Sequence, residues 1–225
     1  MNILALLEIE HEEYVIDLLN GEQTSEWYKK INPKMKIPAI KDGDHCMGES
    51  IDICKYLVET RKLKTPAWPV DDQEKIDQME RDLAKVDELA SASGNVSYNC
   101  FYNQFAGKKL AGKELKKKVL NELYLVYDRF EETLAERKTK FYNSDDHPGL
   151  QDYLTYNFIK YLTSIKLSSL AGYPVLMQWF NDCEKVPSIA VVSTRLEKET
   201  ASLLFKIRWI NPLKRFLTCR CCCRR

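Results

Sequence analysis

The stretch Asn32 to Ser50 reads NPKMKIPAIKDGDHCMGES, and the order of elements within it decides the architecture of the chain around it. Asn32-Pro33 stops what comes before, because the residue ahead of a proline is pushed out of the helical region. Lys36 to Lys41 reads as a strand, Asp42-Gly43 is the strongest short hairpin signal in the sequence, and His45 to Met47 reads as the returning strand. Ser50 then caps a helix to about Thr60, with Ile51, Cys54, Leu57 and Val58 at three- to four-residue spacing.

Working outward, Met1 to Ile9 suits a helix, Glu13 to Leu18 (EYVIDL) alternates as a strand should, and Thr24 to Ile31 suits a short helix. Downstream, Arg61 to Pro69 (RKLKTPAWP) is basic, carries two prolines and fits a linker. Everything after it has helical periodicity. Helices are expected over 71–105, with Ile76, Met79, Leu83, Val86 and Leu89 on one face, and over 114–138, with Leu115, Val119, Leu123, Val126, Phe130 and Leu134 likewise. Two more follow, over 150–170 and 174–185. The expected fold class is therefore α/β plus all-α: a small unit over 1–60, a linker over 61–69, an all-helical domain over 70–208 and a basic, Cys-rich tail over 209–225.

The chain has 225 residues, 44% of them hydrophobic and 30% charged, with a formal net charge of +1. So balanced a chain lacks the field that holds nucleic acid, whose affinity comes from neutralising several phosphates. A small molecule or another protein is the expected partner. Eight cysteines would suggest disulfides in a secreted protein, yet MNILALLEIEHEE has neither a basic leader nor a small-residue cleavage site. Cys46, Cys54, Cys100 and Cys183 are scattered without metal spacing and read as thiols of a reducing compartment. No apolar run approaches the ~18 residues of a membrane span. The expectation is a cytoplasmic protein without a metal.

Proline, hairpin, acid–hydroxyl pair and helix have a joint use in holding a small peptide zwitterion. A cis Ile37-Pro38 bond would turn the strand sharply and let residue 37 offer its N–H and C=O outward; such bonds persist where geometry requires them. Ser50 at a helix start leaves backbone N–H groups for a carboxylate, and Glu49 beside it can accept from an ammonium. Lys36 can reach a second carboxylate at the other end. Each residue also has a bland reading: Ser50 as a plain cap, Pro38 as a trans edge-strand residue, Glu49 as a solvated turn residue and Lys36 as a solvated charge.

In this order and spacing, residues 32–50 resemble the glutathione-binding half-site of the cytosolic glutathione transferases. HPGLQDYL (147–154) adds Gly149 and Asp152 where that family has a capping residue and an acid three places on, a structural capping box. YPVLMQWFNDCEKVPSI (173–189) resembles the family's late helix, with Trp179 turned into the core, and the long region after it is closest to the theta-like classes. The resemblance implies a thioredoxin-like N-terminal domain, glutathione as co-substrate, a hydrophobic electrophile as second substrate, and a homodimer. It implies glutathione binding by Lys36, Ile37, Pro38, Glu49 and Ser50.

The family begins with a strand and a loop bearing the Tyr, Ser or Cys that activates the thiol, whereas this chain aligns from within the following helix. The catalytic residue is therefore unknown. Tyr14 and Thr24 lie too far along to take the role. A non-catalytic binding or scaffold protein is the alternative reading. Tyr98, Phe101, Tyr102 and Phe105 are aromatic candidates for the electrophile side, and equally good core residues. In the tail, Cys219 and Cys222 have C-x-x-C spacing without a second pair, so no metal is expected. Cysteines beside Lys214, Arg215, Arg220, Arg224 and Arg225 could take acyl chains at an anionic membrane, but an end without function is the simpler reading.

Overall fold

The computed structural model describes residues 2–18, 20–60, 67–69, 72–104, 109, 111–137 and 139–201. Most of the linker expectation over 61–69, all of the tail over 209–225, and Phe105 lie outside these residues.

Gly43, at φ 61, makes the tight turn that its sequence position demands, and an antiparallel hairpin closes on it. Strand β1 (Ala39–Asp42) pairs with β2 (His45–Gly48), in a register that sets Ala39 opposite Gly48 and Asp42 opposite His45. The strand begins at Ala39, not Lys36, because the Ile37-Pro38 bond is cis and breaks the extended run. Around the hairpin lie α1 (Asn2–Leu6), α2 (Glu26–Ile31) and α3 (Ser50–Thr60). Ile3 and Leu7 join Ile53, Leu57 and Val58 of α3 in the core, which continues into the larger domain through Ala67 and Trp68.

Glu13 to Leu18 is not a strand. The described sheet has two strands only, and Val15 is 80% exposed. Alternation makes a strand only where a neighbouring backbone takes up its N–H and C=O groups, and among the described residues no strand lies beside it. Side chains hold the segment instead. Tyr14 donates its hydroxyl to Glu22 Oε1 (2.6 Å), the Asp17 N–H donates to Glu22 Oε2 (2.7 Å), and Arg195 reaches back across the chain to Glu13.

The helical domain follows the periodicity closely. Helix α4 (Gln73–Cys100), capped by Asp72, and α5 (Lys113–Glu136) pack together along their apolar stripes. Helix α6 (Leu150–Ser164) lies against α4, and α7 (Pro174–Glu184), opened by its proline, against α5. Residues 187–201 form a further helix, α8, which the sequence reading had not separated. Helix α6 ends well before residue 170 because Lys166 takes a left-handed φ of 59. The Leu167 N–H then bonds the Leu162 carbonyl and the Lys166 N–H that of Thr163, a Schellman end.

Asp152 is fully buried and does more than cap α6. It accepts from the Gly149 N–H (2.8 Å), as expected of a capping acid, and also from the Tyr142 N–H (3.1 Å) and the indole Nε1–H of Trp179 (2.7 Å). Burial outweighs these bonds and pushes its carboxyl up to about 6. A second buried acid, Asp82 on α4, is held by Arg137 at the end of α5 (2.7 Å), whose guanidinium lies 3.9 Å from the Tyr142 ring centroid and donates to the Tyr142 carbonyl. The result is a small thioredoxin-like unit with a short two-stranded sheet, joined to an all-helical domain.

Candidate functional site

Asn32 organises the entry to the hairpin. It closes α2, is 3% exposed, and its side chain works in both directions. Its Oδ1 accepts the Lys34 N–H (3.1 Å) while its Nδ2 donates to the Lys36 carbonyl (2.7 Å); its own carbonyl accepts the Met35 N–H (2.9 Å). The loop is wound tightly enough that Met35 sits at φ 56. The Lys36 carbonyl takes a second bond from the hydroxyl of buried Tyr28 (2.7 Å). Two donors on one oxygen fix the peptide immediately before Ile37 and Pro38.

At the other side of the hairpin, the Ala39–Gly48 pairing makes Pro38 and Glu49 the first residues beyond the ladder on adjacent strands. Ile37-Pro38 and Glu49-Ser50 therefore leave the sheet side by side. Ile37 is exposed, as are Lys36 and Pro38, while Glu49 and Ser50 are half-buried. Ser50 is the first residue of α3, not its cap. The Glu49 carbonyl accepts the first helical bond, from the Ile53 N–H (3.0 Å), so Glu49 occupies the cap position, with φ 68. The expectation of Ser50 as cap shifts back by one residue for that reason.

The electrostatics add a residue that the sequence reading passed over. Lys34 Nζ lies 2.9 Å from Glu49 Oε1, and this bond is the main reason the Glu49 carboxyl sits below its ordinary range; Lys34, and more weakly Lys36, also attract it through space. Tyr28, Asn32, Lys34 and Gly48 were all missed as site-builders. The available signal was Asn32-Pro33, read only as a helix stop, together with a glycine at the end of the second strand.

Thiol chemistry needs a group that stabilises a thiolate. The described tyrosine and threonine hydroxyls of the small unit are committed elsewhere: Tyr14 to Glu22, Thr24 to the Gly21 carbonyl, Tyr28 to the Lys36 carbonyl, Tyr56 to Asp42 and Thr60 to the Tyr56 carbonyl. Cys54 is half-buried on α3, and loss of hydration pushes its thiol up to about 11, which leaves it a poor nucleophile. Of the aromatic candidates, Phe101 is buried, Tyr98 is exposed and Tyr102 accepts from the Tyr161 hydroxyl (3.1 Å).

A small unit with a two-stranded sheet and a cis-proline hairpin, followed by a helical bundle with a buried capping acid, defines a class of fold that comparison with known proteins identifies. Residues 2–60 match the family model "Glutathione S-transferase, N-terminal domain" and residues 95–187 match "Glutathione S-transferase, C-terminal domain", together more than half of the chain. The chain belongs to the glutathione transferase family and is theta-like within it. Human glutathione S-transferase theta-1 is 26% identical over 216 residues, covering 91% of this chain and 82% of that protein. Mouse glutathione S-transferase theta-3 is 24% identical, covering 88% and 79%. Among solved structures, apo human glutathione S-transferase T1-1 superposes with a TM-score of 0.73 at 22% identity, over 91% of this chain and 83% of that one. A Lodderomyces elongisporus glutathione transferase homolog, solved with two GSH per subunit, gives 0.71 at 20% identity, over 84% and 89%.

Proposed function

We propose that this protein binds reduced glutathione at the open end of the β1–β2 hairpin, with Lys36, Ile37, Pro38, Glu49 and Ser50 as the site and glutathione as co-substrate. The observation that carries this reading is the Ala39–Gly48 register, which sets a backbone turned by Pro38 beside a carboxylate and a helix start. Ile37 offers backbone groups to pair with the cysteinyl peptide unit. Glu49 takes the γ-glutamyl ammonium, the first N–H groups of α3 take the γ-glutamyl carboxylate, and Lys36 takes the glycyl carboxylate. The GSH-bound Lodderomyces homolog supports glutathione as the ligand. Residues 1–60 are the glutathione-binding unit on this reading, 61–69 the linker, 70–208 the helical domain and 209–225 a basic tail.

The reaction that the family suggests is conjugation of glutathione to a hydrophobic electrophile, a detoxification chemistry carried out in the cytoplasm by a homodimer. No helix among the described residues is long and apolar enough to cross a membrane. One observation favours the second reading, a non-catalytic binding or scaffold protein: every described tyrosine and threonine hydroxyl of the small unit is bonded to another partner. Retention on immobilised glutathione, with elution by free glutathione, tests the site. Glu49→Gln should elute earlier than the unmodified chain, and absence of retention would overturn the reading. Conjugation of a standard electrophile by this chain should run near the uncatalysed rate; turnover well above it would set the enzyme above the binding protein.

A further inference from the structure

Resting on that reading of the site, we propose that Lys34 is a built-in competitor for the ammonium of the ligand, so that it sets how strongly the site selects an amine-bearing γ-glutamyl end. In the free protein the Lys34 ammonium sits 2.9 Å from Glu49 Oε1, on the carboxylate that the ligand's ammonium must use.

Both partners stand on fixed backbone. The Lys34 N–H is tied to Asn32 Oδ1 and the next N–H to the Asn32 carbonyl, while Glu49 is anchored as the first acceptor of α3. The pair is therefore held by the loop and the helix start, unlike two long side chains meeting by chance on an open surface. Its side chains remain 65% and 42% exposed, so a ligand can reach the carboxylate and Lys34 can swing away. A ligand ammonium has two ways to arrive. It can displace Lys34, losing an existing ion pair, or share the carboxylate and face a like charge a few ångströms away. Either way Lys34 weakens recognition of the amine. A ligand with no amine at that end meets neither obstacle, and one that presents a carboxylate there gains a cation.

The test is calorimetric titration of the full chain and of Lys34→Met with two tripeptides, glutathione and its analogue lacking only the γ-glutamyl amine, N-glutaryl-cysteinylglycine. Methionine keeps the length of the stem and removes the charge. Lys34→Met should bind glutathione tighter by about two- to five-fold, the scale of a half-exposed ion pair. Its affinity for the deaminated analogue should be unchanged or lower. Equal glutathione affinity in the two proteins would overturn the role of Lys34, as would tighter binding of both tripeptides by the same factor. Weaker glutathione binding by Lys34→Met would also overturn it, and would assign Lys34 to the ligand's carboxylate. Failure of both proteins to bind glutathione would instead overturn the glutathione site itself. Lys34→Gln, titrated in parallel, gives the same readout should the methionine variant misfold.

Discussion

A Cβ on Gly48 would stand 2.4 Å from Asn32 Nδ2, so the absence of a side chain at Gly48 is what lets Asn32 seat beneath the loop. Gly48→Ala must push that amide aside, and with it one of the two bonds on the Lys36 carbonyl. We expect a loss of about 1–3 kcal/mol in denaturant unfolding, the usual cost of overpacking a well-filled site. Glutathione affinity should fall as well. In an Asn32→Ala background the obstacle is gone, so Gly48→Ala should cost distinctly less; strict additivity of the two changes would refute the contact.

Asp152 should make the fold more stable in mild acid than at neutrality. Its carboxyl is raised to about 6, above the unfolded value, so the folded state binds the proton more tightly. This stabilisation is full below about pH 4 and lost as pH rises through about 6. The unmodified chain should therefore gain stability relative to Asp152→Asn between pH 7 and pH 4, by up to about 3 kcal/mol. The asparagine amide also turns a donor toward the Gly149, Tyr142 or Trp179 donors, so the variant should be destabilised at every pH by about 1–3 kcal/mol. A pH-independent difference between the two proteins would contradict this account.

Arg137→Met should be among the most damaging single changes in the helical domain. It removes the nearer of two cations from Asp82, which is completely buried and has Lys85 Nζ only at 3.9 Å, and the donor to the Tyr142 carbonyl. Breaking one partner of a buried pair costs about 3–5 kcal/mol. Weak bonds to Asp82 from Gln78 (3.3 Å) and Asn143 (3.4 Å) soften the loss toward the lower end. Arg137→Lys should recover only part of it, since an ammonium cannot reach the acid and the carbonyl with the geometry of the guanidinium fork. Thermal or denaturant unfolding of the two variants measures the ranking.

The homodimer suggested by the family should use the outer groove between α4 and α5. Asp87, Glu88, Glu122, Leu125 and Arg129 line it, and Leu125 is 57% exposed in the single chain. Leu125→Glu should convert a dimer into a monomer while leaving the helical signal intact. Sedimentation at micromolar concentration reads the outcome directly. A mass near 26.3 kDa for the unmodified chain would exclude the dimer.

Much of this protein was legible because its signals are local. Asp42-Gly43 specified the hairpin, since a turn needs only its own residues to take the right φ. The stripes of α4 and α5 specified a helical domain, since periodicity survives whatever the helix packs against. The residues at 32–50, 147–154 and 173–189 carried the family resemblance, and with it the two-part fold. Asp152 as a capping acid was readable from its place three residues after Gly149.

Only the tertiary structure decided the rest. Glu13 to Leu18 has the pattern of a strand and is none, because pairing depends on a second backbone that no local pattern supplies. Asn32 meets Gly48, and Lys34 meets Glu49, across a loop whose path is set by hydrogen bonds to one carbonyl oxygen. Trp179 donates to Asp152 across 27 residues of chain. Sequence by itself determined the hairpin and the long helices, because the torsional and amphipathic preferences behind them belong to neighbours in the chain. Which charges pair and which side chains fill a glycine's space follow from how distant segments are brought together, and that is settled only when the whole chain packs.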